Sequence, residues 1–174
     1  ATTVVLGAHY DHLGYGEDGN SRYEKKEPAI HNGADDNASG TSTMIELARK
    51  LKKTKNTANN YLFIAFSGEE LGLYGSKHFT ESPTIDLSKV SYMINMDMVG
   101  RLNDSTKTVT IGGFGTSPEW ATIITPNQKG AGYFTTRIDS SGSGPSDHTS
   151  FYKKDIPVLF YFTGLHTDYH KPSD

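Results

Sequence analysis

The chain has 174 residues, a net charge of −3 and a pI near 6.2. That balance offers no basic surface to nucleic acid or to an anionic membrane, and no run of about 18 apolar residues is present to span a bilayer. The length suits one domain, residues 1–174, with a sizeable core, and because cysteine is absent any zinc would rest on histidine and carboxylate ligands.

The first predicted strand, Val4 to Ala8, runs into His9-Tyr-Asp-His12. His9 and Asp11 are two apart, so in extended backbone they share a side, and a carboxylate so placed commonly orients a liganding imidazole. Residues 14–33 are rich in glycine and charge and read as a long surface loop. Asn32 to Gly40 then supplies turn and N-cap residues, but a cap does not need two adjacent acids such as Asp35 and Asp36. The following helix shows an apolar stripe at Met44, Leu47, Ala48 and Leu51, with Arg49 to Lys53 loading its C-terminal end with positive charge. Lys55 to Asn60 is a polar connection.

Tyr61 to Phe66 is an apolar run bounded by Ser67-Gly68, the pattern of a strand buried on both faces. Glu69 and Glu70 follow, where the strand ends and a helix over Leu71 to Glu81 is predicted. Two acids in the first turn of a helix can simply complement its dipole. Val90 to Asp97 is a third strand ending in an acid, and Thr108 to Ile111 a fourth. A helix over Pro118 to Asn127 places Trp120, Ile123 and Ile124 on its buried side. Tyr133 to Ile138 reads as a strand. Ser146-Asp-His148 opens a short helix, and Pro157 to Phe162 forms a last strand before Asp168-Tyr-His170.

Apolar strands alternating with helices predict an α/β fold, a mostly parallel central sheet with helices on both faces in three αβα layers. Ligands of such sheets bind at the carboxyl ends of the strands. His9, Glu69, Glu70, Asp97 and His170 all lie at those ends, and Asp36 starts the helix after the first strand. Two metal ions about 3.5–4 Å apart can share a bridging carboxylate. One histidine and one carboxylate for each ion plus one bridge account for five of these groups, and the sixth, a free glutamate, would serve as base.

The chain resembles the M28 family of zinc metallopeptidases, which includes bacterial secreted aminopeptidases. The resemblance is carried by Gly7-Ala-His-Tyr-Asp-His12, Gly33-Ala-Asp-Asp-Asn-Ala-Ser-Gly40, Ser67-Gly-Glu-Glu-Leu-Gly72, Ile94-Asn-Met-Asp-Met-Val-Gly100, Ser146-Asp-His148 and Asp168-Tyr-His170, in the family's order. It implies two Zn2+ per chain, His9 and Asp97 on one, Glu70 and His170 on the other, and Asp36 bridging. It further implies Glu69 as general base, Asp11 steadying His9, Tyr169 donating to the oxyanion, and a cis peptide after Asp36. The expected activity is hydrolysis of the N-terminal bond of peptides with a free N-terminus, by an enzyme secreted or periplasmic by family habit, although Ala1 leads almost directly into a strand with no signal peptide.

Two other members of this fold are alternatives: a glutaminyl-cyclase-like acyltransferase with one zinc, and a non-catalytic ectodomain that has lost ligands. His9 and Asp36 together speak against the first, and the full ligand set against the second. Compared with the family pattern, the chain reads as a catalytic core lacking flanking elements at both ends, which would expose surface that another copy could cover in a dimer. Asp147 and His148 are expected in a structural or substrate-wall role, and residues 139–152 with Phe151, Tyr152 and Tyr161 in the wall of the substrate pocket. His12 is expected to pack or to steady a ligand. His31, His78 and His166 have no ligand-like spacing, and the glycosylation pattern at Asn37-Ala-Ser39 is expected to be accidental.

Overall fold

A computed structural model describes residues 2–25, 27–54, 58–128 and 132–174. Lys26 of the long loop and residues 55–57 of the polar connection lie outside the described residues. The strands are β1 (Thr3–His9), β2 (Asn60–Phe66), β3 (Val90–Met96), β4 (Thr108–Gly112), β5 (Thr135–Ile138) and β6 (Val158–Phe162). The helices are α1 (Gly40–Thr54), α2 (Tyr74–Glu81), α3 (Glu119–Gln128) and α4 (His148–Tyr152). One sheet takes the order β2-β1-β3-β6-β4-β5. All neighbours in it are parallel except β4 and β6, which are antiparallel.

Side-chain alternation along the strands divides the core in two. Val4 and Leu6 of β1 and Met96 of β3 pack against Met44, Leu47 and Leu51 of α1. On the same face Ile111 and Leu159 pack against Trp120 and Ile124 of α3. The opposite faces of the same strands, through Val5, Phe66, Met93 and Val158, close on Phe151 of α4 and Phe79 of α2. Helices therefore cover both faces, and the expected three layers are present. Central β1 is buried along almost its whole length, which explains its continuous apolar run.

Three expectations shift. Helix α2 starts at Tyr74 rather than Leu71, because Gly68, Gly72 and Leu73 take positive φ of 67°, 113° and 63° and hold the chain in a turn closed by the Gly72 and Leu73 N–H groups on the Glu69 carbonyl. Glu69 and Glu70 therefore lie in a loop five and four positions before the first residue of the helix, and complementing its dipole does not account for them. Ile123 is exposed, not buried, because the inward face of α3 is set by Trp120 and Ile124 one turn apart. Strand β5 begins at Thr135, leaving Tyr133 and Phe134 exposed.

Candidate metal centre

The strand ends converge as the spacing predicts. His9 is the last residue of β1, Asp97 follows β3 directly, Glu69 and Glu70 follow β2, and His170 lies in the loop after β6. Asp36 reaches the same place from the turn Ala34–Ser39. The Asp36–Asn37 peptide is cis, as expected. Asn37 anchors that turn to β3: its Oδ1 accepts the N–H groups of Gly40 and Met98 at 2.9 and 3.2 Å, and its Nδ2 donates to the Met96 carbonyl at 3.0 Å. Only glycine fits at position 40, where a Cβ would stand 2.3 Å from both Asn37 Oδ1 and the Met96 carbonyl oxygen. Asn37 is 2% exposed, so its glycosylation pattern is sealed inside the fold.

The buried His9 Nε2 lies 3.2 Å from Asp36 Oδ1 and 3.4 Å from Asp97 Oδ1. His170 Nε2 lies 3.3 Å from Asp36 Oδ2 and 3.2 Å from Glu70 Oε2. Both nitrogens are buried without a hydrogen bond. Adjacent donors around a tetrahedral zinc at 2.0–2.1 Å stand about 3.3 Å apart, so each histidine with its carboxylates has the spacing of a zinc shell. Asp36 presents a separate oxygen to each of the two histidines. His9, Asp36 and Asp97 form one compact group of possible donors, and Asp36, Glu70 and His12 another. His12 Nδ1 stands only 2.8 Å from Glu70 Oε1, a hydrogen bond, so it holds one oxygen of Glu70 while the other faces His170. Glu69 also lies with His9 and Glu70 in a close group.

Charge follows this crowding. Burial alone would lower the His9 pKa, but the carboxylates of Asp11, Asp36 and Asp97 outweigh it and raise it. Burial likewise opposes, and Asp36 and Glu70 overcome, at His170, which is raised to about 10. Burial would raise Asp36, yet the rings of His170 and His9 hold it below the usual carboxylate range. Glu69 is pushed up to about 9, first by burial and then by Asp97, Asp147 and Glu70, against the opposing effect of His9. Tyr169 is raised by burial and by Asp36 and Glu70, and its ring stacks on His170 at 3.8 Å.

The supporting contacts refine the expectations. The Asp11 backbone carbonyl, at 3.1 Å, takes His9 Nδ1, while the Asp11 carboxylate stays 3.7 Å away and accepts the Glu69 N–H at 3.3 Å. Ser146 Oγ donates to Asp97 Oδ2 at 2.6 Å and accepts from Asn95 Nδ2 at 2.8 Å. Asp147 is fully buried, and burial pushes it up to about 6. His148 stacks on Phe160 at 4.4 Å, and burial pushes it down to about 4. A cleft of about 270 Å³ opens beside Asp36, Glu69, Glu70 and Asp97, walled by Met98, His148, Phe160, Phe162, Leu165 and Tyr169. Phe151 is not in this wall. It is wholly buried in the core, and the period of two along β6 turns Phe160 and Phe162 into the cleft and Tyr161 to the other face. Tyr152 likewise lies outside the wall. His166, without ligand-like spacing in the sequence, stands 3.3 Å from Asp35 Oδ2.

Comparison with known proteins places this arrangement. Aminopeptidase YwaD of Bacillus subtilis is 29% identical over 180 residues, covering 98% of this chain and 35% of that protein. The structure of BSAP, a zinc aminopeptidase from Bacillus subtilis, superposes with a TM-score of 0.77 at 28% identity over 99% of this chain and 40% of that one. The Legionella pneumophila LapA aminopeptidase superposes with a TM-score of 0.75 at 28% identity over 100% of this chain and 45% of that one. The chain thus spans less than half the length of each of these relatives. Residues 1–174 match the sequence pattern of Peptidase family M28, and the chain belongs to that family.

Proposed function

We propose that the chain carries the catalytic centre of an aminopeptidase holding two zinc ions, His9 and Asp97 on one, His170 and Glu70 on the other, with Asp36 shared. The observation that supports this most directly is the pair of buried, unpartnered Nε2 atoms, each 3.2–3.4 Å from two carboxylates and each facing its own oxygen of Asp36. The names of the bacterial relatives agree with the activity.

When bound, zinc supplies a Lewis acid for the scissile carbonyl, lowers the pKa of a bound water, and adds positive charge that favours the ionised form of Glu69. The protein's own groups do the rest. Glu69 takes the proton of the attacking water and delivers it to the departing amine nitrogen. Tyr169, whose raised pKa keeps its proton at neutral pH, donates Oη–H to the carbonyl oxygen as it becomes an oxyanion. The substrate's free ammonium lies against the acidic end of the cleft. Its first side chain lies on Met98, Phe160, Phe162 and Leu165, a surface that suits an apolar residue such as leucine. A shallower groove shares Glu69, Glu70, Pro145 and Tyr169 with this cleft and continues past Asn20 and Leu73, where the rest of the peptide leaves. No helix among the described residues is long and apolar enough to cross a membrane. Action outside the cytoplasm is part of the proposal, supported by a relative named as a lipoprotein aminopeptidase in Mycobacterium tuberculosis.

The test pairs zinc stoichiometry with kinetics on a leucyl substrate and its N-acetylated form. Two tightly held equivalents with turnover of the free amine alone are expected. One equivalent would favour a cyclase-like site, and equal turnover of the acetylated substrate would overturn the exopeptidase assignment.

A further inference from the structure

Asp36 serves both proposed zinc shells, so its placement has little latitude: any movement toward His9 is a movement away from His170. Behind the site stand residues that offer no donor atom to either proposed shell but contact the Asp36 backbone. Asp174 is 9% exposed, and its carboxylate closes back on the turn that carries Asp36. Its Oδ2 accepts the Asp36 N–H at 3.0 Å, and its Oδ1 accepts the Asp35 N–H at 3.4 Å. His166 backs Asp174, with Nε2 at 3.4 Å from Asp174 Oδ1 and 3.3 Å from Asp35 Oδ2. On the other edge of that ring, Nδ1 faces the Arg101 guanidinium at 3.1 Å and the Asp168 N–H at 3.3 Å. Arg101 is itself held by the Asp168 carboxylate at 2.6 Å. Asp35 Oδ1 accepts the Gly100 N–H at 2.7 Å. The cluster thereby ties together the turn bearing Asp36, the segment following Asp97 and the loop bearing His170.

The spacing around His166 resembles that of the two zinc shells, but the donors facing it differ. Arginine and a backbone amide can only donate, so both require Nδ1 to be the acceptor. The ring proton is then on Nε2, which stands near the Asp35 and Asp174 carboxylates without a hydrogen bond to either. With only donors on Nδ1, loss of the Nε2 proton would leave an imidazolate anion among carboxylates, whereas His170 can keep a proton on the Nδ1 that faces the Asn20 carbonyl, so the cluster is a clamp rather than a third ion site.

We propose that Asp174 is a positioning residue that fixes the shared carboxylate Asp36 through its backbone N–H, and that His166 fixes Asp174 in turn. The proposal rests on the di-zinc reading above. Groups that orient metal ligands in this way typically change metal affinity 10–100-fold when removed.

The test measures zinc affinity for each equivalent by chelator competition in the unaltered chain, in Asp174→Asn and in His166→Ala, together with thermal melting of each metal-free chain. Asparagine keeps the shape of Asp174 but turns an NH2 group toward one of the two backbone N–H groups. The expected result is a 10–100-fold loss of affinity for at least one equivalent in Asp174→Asn and a several-fold loss in His166→Ala. A merely structural clamp would lower the metal-free melting temperature and leave the zinc affinity of the folded chain within about twofold of the unaltered one, and that result overturns the proposal. Should Asp174→Asn not fold, unchanged affinity in His166→Ala overturns it equally. Fewer than two equivalents in the unaltered chain would fail the di-zinc reading, and the proposal with it, whereas two equivalents with insensitive variants would fail the proposal alone.

Discussion

Replacing Glu69 by glutamine tests its proposed role as the base in two separable ways. In the metal-free chain, burial and the neighbouring carboxylates push Glu69 from an ordinary value of 4.5 up to about 9. The unfolded chain ionises it near 4.5, so at pH 7 folding must return a proton to it, at a cost of about 3 kcal/mol. Glutamine has nearly the same shape and is neutral at every pH, so it escapes that cost. Metal-free Glu69→Gln should therefore be more stable than the unaltered chain at pH 7, by about 6–12 °C in Tm for a chain of this size. The sign follows from the raised pKa: the stability that Glu69 contributes is complete below pH 4.5 and is lost as pH rises toward 9. The two melting curves should accordingly converge at pH 4.5 and below. In the zinc-loaded protein the same substitution removes the proposed proton carrier, and turnover should fall about 10²–10⁴-fold, equivalent to about 3–5 kcal/mol of barrier, with the zinc content unchanged. Calorimetric melting across pH, zinc analysis and kinetics on a leucyl substrate make the measurement. Equal metal-free Tm values at pH 7 would refute the burial argument, and preserved turnover would refute the role given to Glu69.

His170, raised to about 10 by Asp36 and Glu70 against the pull of burial, carries a proton at neutral pH in the metal-free chain. Its contribution to metal-free stability is complete below its ordinary value of 6.5 and is lost as pH rises toward 10. Zinc must displace that proton, so affinity should climb with pH and calorimetry in buffers of different ionisation enthalpy should register proton release; binding without release would contradict this. Ser146→Ala removes the 2.6 Å donor to Asp97 and leaves the buried Asn95 amide short of a partner, so zinc affinity should drop about tenfold by chelator competition. Phe151→Ala empties the wholly buried centre of one core cluster, where its ring meets Phe66 at 6.0 Å and Phe79 at 5.9 Å, and should cost about 3–5 kcal/mol in urea unfolding without changing zinc stoichiometry.

Short-range chemistry was legible in the chain. Apolar runs ended by His9, by Ser67-Gly68 and by Asp97 marked β1, β2 and β3, and the stripe at Met44, Leu47 and Leu51 marked the buried face of α1. Because helices between parallel strands force those strands to point the same way, the residues at their ends had to gather on one edge. The order of elements alone therefore makes His9, Asp97, Glu70 and His170 neighbours, though 161 positions separate the first from the last.

What stayed hidden depends on contacts between distant residues or on local backbone twists. The insertion of β6 between β3 and β4, antiparallel to β4, follows from pairing that no local periodicity records. The turn that delays α2 depends on Leu73 adopting a left-handed conformation that its residue type does not advertise. His12 against Glu70, Ser146 beneath Asp97, and Asp174 with His166 behind Asp36 are side chains whose roles exist only once separate loops meet. The sequence by itself determined which groups stand at the strand ends, because that depends on the order of elements along the chain. Only the tertiary structure decided how those groups are held, because hydrogen-bond partners are chosen by ångström distances between loops that the chain order leaves free.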